Sequence, residues 1–268
     1  MRHVASLALV FALASVSLAR AEMSVVCTAV AEAGTDTLLK REGDCETRVT
    51  PASTFKIALA VIGFDAGILT DEHAPVLPYR PGYPAWMPSW KTDTDPTGWI
   101  RNSVVWYSQK ITEALGKRRF ADAVARLDYG NRDVSGDPGK GNGLTRSWIG
   151  SSLKISPLEQ IAFLRGLVGR RLPVTPHAIE TTIRLLDTGL EPGGWRLYGK
   201  TGSAAARHPD DSLDRERPIG WFVGWAEKGG RTVLFARLVR LDRKPSVFPG
   251  LAAKDSVVAD LFTTPGSL

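Results

Sequence analysis

With 268 residues, 43% of them hydrophobic and 23% charged, the chain has apolar surface for one or two packed domains and is not the composition of a disordered protein. Its formal net charge of +6 is spread without a Lys/Arg stripe interleaved with aromatics, which argues against nucleic acid and suits an anionic small molecule or an envelope surface. His73, His177 and His208 are scattered and the cysteines number only two, so no metal-ligand spacing is present.

Residues 1–21 differ in kind from the rest. Arg2 is followed by an apolar run over residues 4–18 and then by Ala19-Arg20-Ala21, a small-x-small cleavage pattern, so this stretch reads as a secretory signal peptide. A run of about 15 apolar residues falls short of the roughly 20 that span a bilayer. A lipid anchor at Cys27 is disfavoured because Val26 precedes it where a small residue is wanted. Cleavage removes Arg2 and Arg20 and no acid, which leaves residues 22–268 with a formal charge of +4. Export to an oxidising compartment makes a disulfide the natural state of Cys27 and Cys45.

Strands are expected over residues 24–30 and 37–40, around a turn at Gly34-Thr35-Asp36. Then comes Pro51-Ala52-Ser53-Thr54-Phe55-Lys56, with Thr50 as N-cap, Pro51 as first helical residue and an apolar run from Phe55 to Ile62, ended by Gly63 and Gly67. Ser53 and Lys56 stand at i and i+3, on one face of the first turn, where free backbone N–H groups favour a developing oxyanion. A serine needs a base to become a nucleophile, and a lysine serves only if burial depresses its pKa. Taken alone, the tetrad reads better as a capped core helix with a lysine snorkelling outward.

Residues 71–99, rich in proline, glycine and aromatics, read as an ordered surface excursion. Asn102 or Ser103 is expected to cap a helix from Val104 to a stop at Gly116, and a further helix covers residues 119–127, ending at Asp128-Tyr129-Gly130-Asn131. The glycine-rich segment 136–143 reads as turns, since Gly141 stands where a P-loop needs Ser or Thr for magnesium. Ser156-Pro157-Leu158-Glu159 is a capping box opening a helix to about Val168, and Thr175-Pro176 starts another to about Leu186. Beyond Gly193-Gly194 the period becomes that of strands, over residues 195–203, 219–226 and 231–241, with a hairpin at Lys228-Gly229-Gly230 and a final helix over 254–262. The pattern predicts an α+β fold: one antiparallel sheet flanked by helices, with a mainly helical insert over about 60–190 and a cleft between the two.

Three motifs fall in one order: Ser53-Thr54-Phe55-Lys56, then Ser103-Val104-Val105, then Lys200-Thr201-Gly202 on a strand. The set S-x-x-K, S-x-V and K-T-G resembles that of the penicillin-recognising serine enzymes, and the class D β-lactamases in particular. Tyr129-Gly130-Asn131, the tryptophan-bearing loop from Trp148 to Leu153 and the strand from Gly220 to Trp225 extend the resemblance over about residues 24–262.

The resemblance implies a β-lactamase/transpeptidase-like fold and hydrolysis of β-lactam antibiotics through a serine acyl-enzyme, giving resistance. It implies Ser53 as nucleophile and Lys56, N-carboxylated by carbon dioxide, as base, in a pocket made by Val105 and the indole N–H of Trp148. Ser103 relays a proton to the leaving nitrogen with Lys200 beside it, and the backbone N–H groups of Ser53 and Ser203 form an oxyanion hole. Thr201, Gly202 and Ser203 line the substrate, and Lys254 stands where the family usually has a carboxylate-binding arginine, with Arg243 as the rival. No metal and no cofactor beyond the carbamate are implied. The expected partner is a small β-lactam, with no nucleic acid, no membrane after signal cleavage, a monomeric or homodimeric state and a periplasmic location. A β-lactam sensor that acylates without turnover and a D-Ala-D-Ala peptidase share the same motifs.

Overall fold

Both ends of the chain build one sheet, and the middle builds the helices that cover it. The computed structural model describes residues 22–208, 210, 212–243, 248–264, 266 and 268; the expected signal peptide, residues 1–21, lies outside the described residues. From the N-terminal end come β1 (Met23–Glu32) and β2 (Leu38–Gly43), and from the C-terminal end β3 (Asp187–Leu190), β4 (Arg196–Arg207), β5 (Leu213–Lys228) and β6 (Arg231–Leu241). They form one antiparallel sheet in the order β2-β1-β6-β5-β4-β3. Between the two groups lie α1 (Lys56–Asp65), α2 (Pro96–Asn102), α3 (Val105–Arg126), α4 (Gly143–Arg146), α5 (Pro157–Val168) and α6 (Pro176–Leu185). The last helix, α7 (Pro249–Val257), packs on the far face of the sheet against β4, β5 and β6.

The sheet is therefore buried on both faces. Residues Ile219 to Ala226 of β5 are all buried, which is why this strand reads as a continuous apolar run. The larger core lies between the sheet and the insert, with α1 at its centre: every residue from Lys56 to Phe64 is buried. A smaller core, with Leu197, Phe222, Phe235 and Val257, lies under α7.

Several expected boundaries move, each for a local reason. Gly63 does not end α1: it sits inside the helix, where an added Cβ would lie 2.9 Å from Leu69, and the stop comes after Asp65 with Gly67 at φ 68°. At Gly116 the backbone leaves the helical region (φ 73°, ψ 165°), so α3 is two helical stretches joined at the expected stop. The final helix begins at Pro249, five residues before the expected Lys254. The short edge strand β3 was not anticipated; Asp187-Thr188-Gly189-Leu190 carries no alternation, and its strand state comes from pairing with β4. The hairpin matches: Lys228 pairs with Arg231 across Gly229 and Gly230, both at positive φ as a two-residue loop requires.

The Cys27–Cys45 disulfide forms and ties β1 to the segment leading into α1, across a separation of 18 residues. Loop closure of this size contributes about 3 kcal/mol. The Cys27→Ser/Cys45→Ser double variant is expected to lose about that much unfolding free energy, read from its denaturant transition, while the folded activity persists. Among the described residues no helix is long and apolar enough to cross a membrane.

Candidate active site

The chain reaches Ser53 through a strained turn. Pro51 accepts hydrogen bonds at its carbonyl from Thr54 N (3.1 Å) and Thr54 Oγ1 (2.7 Å), closing a 3₁₀ turn over Ala52–Phe55, and Ala52 is held at φ 50°. A non-glycine residue in that region costs about 1–2 kcal/mol, so the surroundings must over-determine it. They do. Gln160 Nε2 donates to Thr54 Oγ1 at 3.0 Å, and Phe55 is packed against Tyr129 and Trp148, with ring centroids at 5.3 and 5.6 Å.

Thr50 is not the expected N-cap. Its hydroxyl donates to Trp148 O and accepts from Gly150 N, both at 2.9 Å, while its carbonyl accepts from Trp221 Nε1 at 3.0 Å. One threonine thus joins the serine turn, the tryptophan loop and the sheet. Thr50→Val leaves buried partners unpaired, and is expected to lower stability by about 1–3 kcal/mol; the shift of the thermal midpoint measures it.

Lys56 Nζ donates to Ser53 Oγ at 3.2 Å. The side chain is wholly buried with no acid beside it, so it does not snorkel. Burial, and secondly the charge of Lys200, hold its pKa well below the ordinary lysine value. Lys200 is 4% exposed and donates to Thr201 O at 3.1 Å; burial first and the charge of Lys254 second bring its pKa down to about 7.

Close packing brings the K-T-G strand onto the serine turn. A Cβ on Gly202 would lie 3.0 Å from Pro51 O and 3.2 Å from Thr54 N, so only glycine lets β4 approach this far. Ser203 follows, but its hydroxyl is committed elsewhere, accepting from Gly250 N at 2.9 Å at the start of α7.

Ser103 does not cap α3 either. It is the C-cap that follows α2, in the left-handed region at φ 58°, and Val104 takes the N-cap position of α3. This sharp junction turns Ser103 into an open cleft of about 290 Å³, whose lining also holds Ser53, Val105, Lys200, Thr201 and Gly202. Trp148, 1% exposed, lies behind, against Phe55 and Phe120. Tyr129, Gly130 and Asn131 shape the neighbouring loop: Asn131 Nδ2 donates to Ser152 O, and its Oδ1 accepts from Lys154 N.

Lys254 lies in a second groove of about 550 Å³ that shares Arg101, Lys200, Thr201 and Leu251 with the cleft. The rival Arg243 is outside both linings and pairs with its neighbour Asp242 at 2.9 Å. Sequence reasoning missed Arg101 and the exposed apolar side chains Trp86, Phe248 and Leu251 at the cleft rim. Exposure at a rim leaves no periodic signature. Among the described residues no group of three metal-ligating side chains gathers.

The comparisons with known proteins agree with this geometry. The profile of a family described as penicillin-binding protein transpeptidase domain matches residues 27–263. β-Lactamase OXA-9 of Klebsiella pneumoniae is 43% identical over 236 residues, 88% of this chain and 86% of the relative; OXA-1 of Escherichia coli is 36% identical, covering 82% and 76%. The crystal structure of the OXA-427 class D β-lactamase superposes with a TM-score of 0.83 at 44% identity, over 89% of this chain and 97% of that one. With the S-x-x-K, S-x-V and K-T-G motifs gathered on one cleft and these likenesses spanning nearly all the described residues, the chain belongs to the class D serine β-lactamases.

Proposed function

We propose that this protein hydrolyses β-lactam antibiotics through an acyl-enzyme on Ser53 and so confers resistance to them. The observation that carries this reading is the 3.2 Å contact between Ser53 Oγ and Lys56 Nζ, on a lysine whose burial lowers its pKa well below the ordinary value. Ser53 Oγ attacks the lactam carbonyl carbon, and the strained C–N bond breaks as the tetrahedral intermediate collapses. Backbone N–H groups of Ser53 and Ser203 hold the developing oxyanion, donors of a kind worth about 3 kcal/mol each. Ser103 gives its proton to the departing nitrogen, and Lys200 beside it in the cleft favours the resulting alkoxide. Lys254 offers a positive charge to the substrate carboxylate, as a point charge without arginine's fork.

Lys56 is the acceptor for the Ser53 proton. The site suits a carbamate: burial lowers the pKa of Lys56 and so favours the neutral amine that reacts with carbon dioxide, Val105 lines the cleft with Ser53, and Trp148 stacks on Phe55, the residue before Lys56. Carboxylated on Nζ, the lysine supplies a carboxylate-type base for Ser53 and for the water that releases the product. The negative charge this adds is attracted to Lys200, whose positive charge disfavours the ammonium form of Lys56.

Residues 1–21 act as a signal peptide in this reading, delivering residues 22–268 to the periplasm as one catalytic domain. A β-lactam is the only partner the chemistry needs. Turnover of a chromogenic cephalosporin by the purified protein tests the function. A stable acyl-protein without released product would make it a sensor instead, and turnover confined to D-Ala-D-Ala peptides would make it a peptidase.

A further inference from the structure

The groove beside the cleft carries more positive charge than the residues assigned so far use. Two acids line it, and each is already matched: Glu72 is paired with Arg184, and Asp187 with Arg196. Arg101, Lys200 and Lys254 remain, and none of the three has an acidic partner within ion-pair distance among the described residues. Arg101 differs from the other two in form and place. It stands in the last turn of α2, two residues before Ser103, and its guanidinium makes no hydrogen bond or ion pair among the described residues. It is exposed, and it lines both the cleft that holds Ser53 and the groove that holds Lys254.

The two walls of this junction are therefore both cationic. Arg101 comes from the helical insert and Lys254 from α7, with Lys200 and Thr201 of β4 between them. An anion seated over Thr201 meets positive charge on both sides. The guanidinium supplies the planar fork that matches a carboxylate bidentately, which the ammonium of Lys254 lacks. An exposed arginine without a partner among the described residues keeps this capacity available, whereas Arg184 and Arg196 have spent theirs on Glu72 and Asp187.

We propose that Arg101 is a substrate-binding residue that grips the carboxylate of the β-lactam from the insert wall, opposite Lys254. The inference rests on the β-lactam reading above and assigns to the insert a recognition role that Lys254 alone would carry from the other side. Because the contact is to a group remote from the scissile bond, it acts on KM more than on kcat.

The experiment compares a penicillin with its methyl ester, which removes the charge and keeps the ring. Arg101→Ala is expected to lower the acid-to-ester ratio of kcat/KM about tenfold, mainly through KM of the acid, in line with a charge-assisted hydrogen bond. Arg101→Gln, which keeps the length of the side chain, should lower the ratio similarly, and Arg101→Lys should restore part of it. An unchanged ratio in Arg101→Ala and Arg101→Gln, or an equal loss on acid and ester, overturns the assignment. Wild-type protein that turns over neither form overturns the hydrolase reading itself, so the two failures are told apart.

Discussion

Ser53→Ala is expected to lower β-lactam turnover by about 10⁴-fold or more and to abolish the acyl adduct seen by mass spectrometry, while the protein stays folded. The size follows from what is lost. Without Oγ no covalent intermediate forms, and what survives is whatever rate enhancement the cleft gives to direct attack by water. The fold should tolerate the change, because the turn is held by other groups: Thr54 on Pro51 O, Gln160 on Thr54, and the glycine contact between β4 and the turn. The side chain's own hydrogen bond is the one it accepts from Lys56 Nζ. Turnover that persists in the variant would remove Ser53 from the mechanism, and equal thermal midpoints for the two proteins would show that the loss is chemical.

Much of this site was legible because its chemistry is written in short motifs that secondary structure converts into contact. Ser53 and Lys56 are three residues apart on one turn, and that spacing alone places Nζ beside Oγ. The capping box at Ser156 and Glu159 and the hairpin at Gly229-Gly230 were legible for the same reason, since each is a local rule with a local cause. What failed was the assignment of polar side chains to helix ends. Thr50 and Ser103 both have the composition of N-caps, yet the first ties three distant segments together and the second ends the helix before it, in a left-handed conformation. The role of Thr50 is set by tertiary partners about 100 and 170 residues away, for which sequence has no period. The edge strand β3 was hidden for a like reason, being a strand only because β4 lies alongside.

The second large effect expected concerns Lys56, whose buried site disfavours the ammonium form and so admits carbon dioxide. In the carboxylation, the amine lone pair forms the N–C bond and one proton leaves to solvent, so acid reverses it. Activity is therefore expected to fall as the pH drops below neutrality and to recover several-fold on adding bicarbonate; with ¹³C-labelled bicarbonate, a carbamate resonance should appear in wild type and be missing from Lys56→Ala. The same chemistry has a signature in stability. Lys200 binds its proton more weakly folded, at about 7, than unfolded, near 10.5, so the unfolded chain holds more protons between those values and stability rises with pH across that window. Below about pH 7 the penalty is at its full size, because both states are then protonated and the buried charge remains. A carbamate on Lys56 adds a negative charge beside Lys200, which raises the pKa of Lys200 and relieves that penalty. Added bicarbonate should thus raise the thermal midpoint of wild type at pH 7 to 8 and leave Lys56→Ala unmoved. Activity and midpoint both blind to bicarbonate, with a flat pH profile, would leave Lys56 a plain amine base.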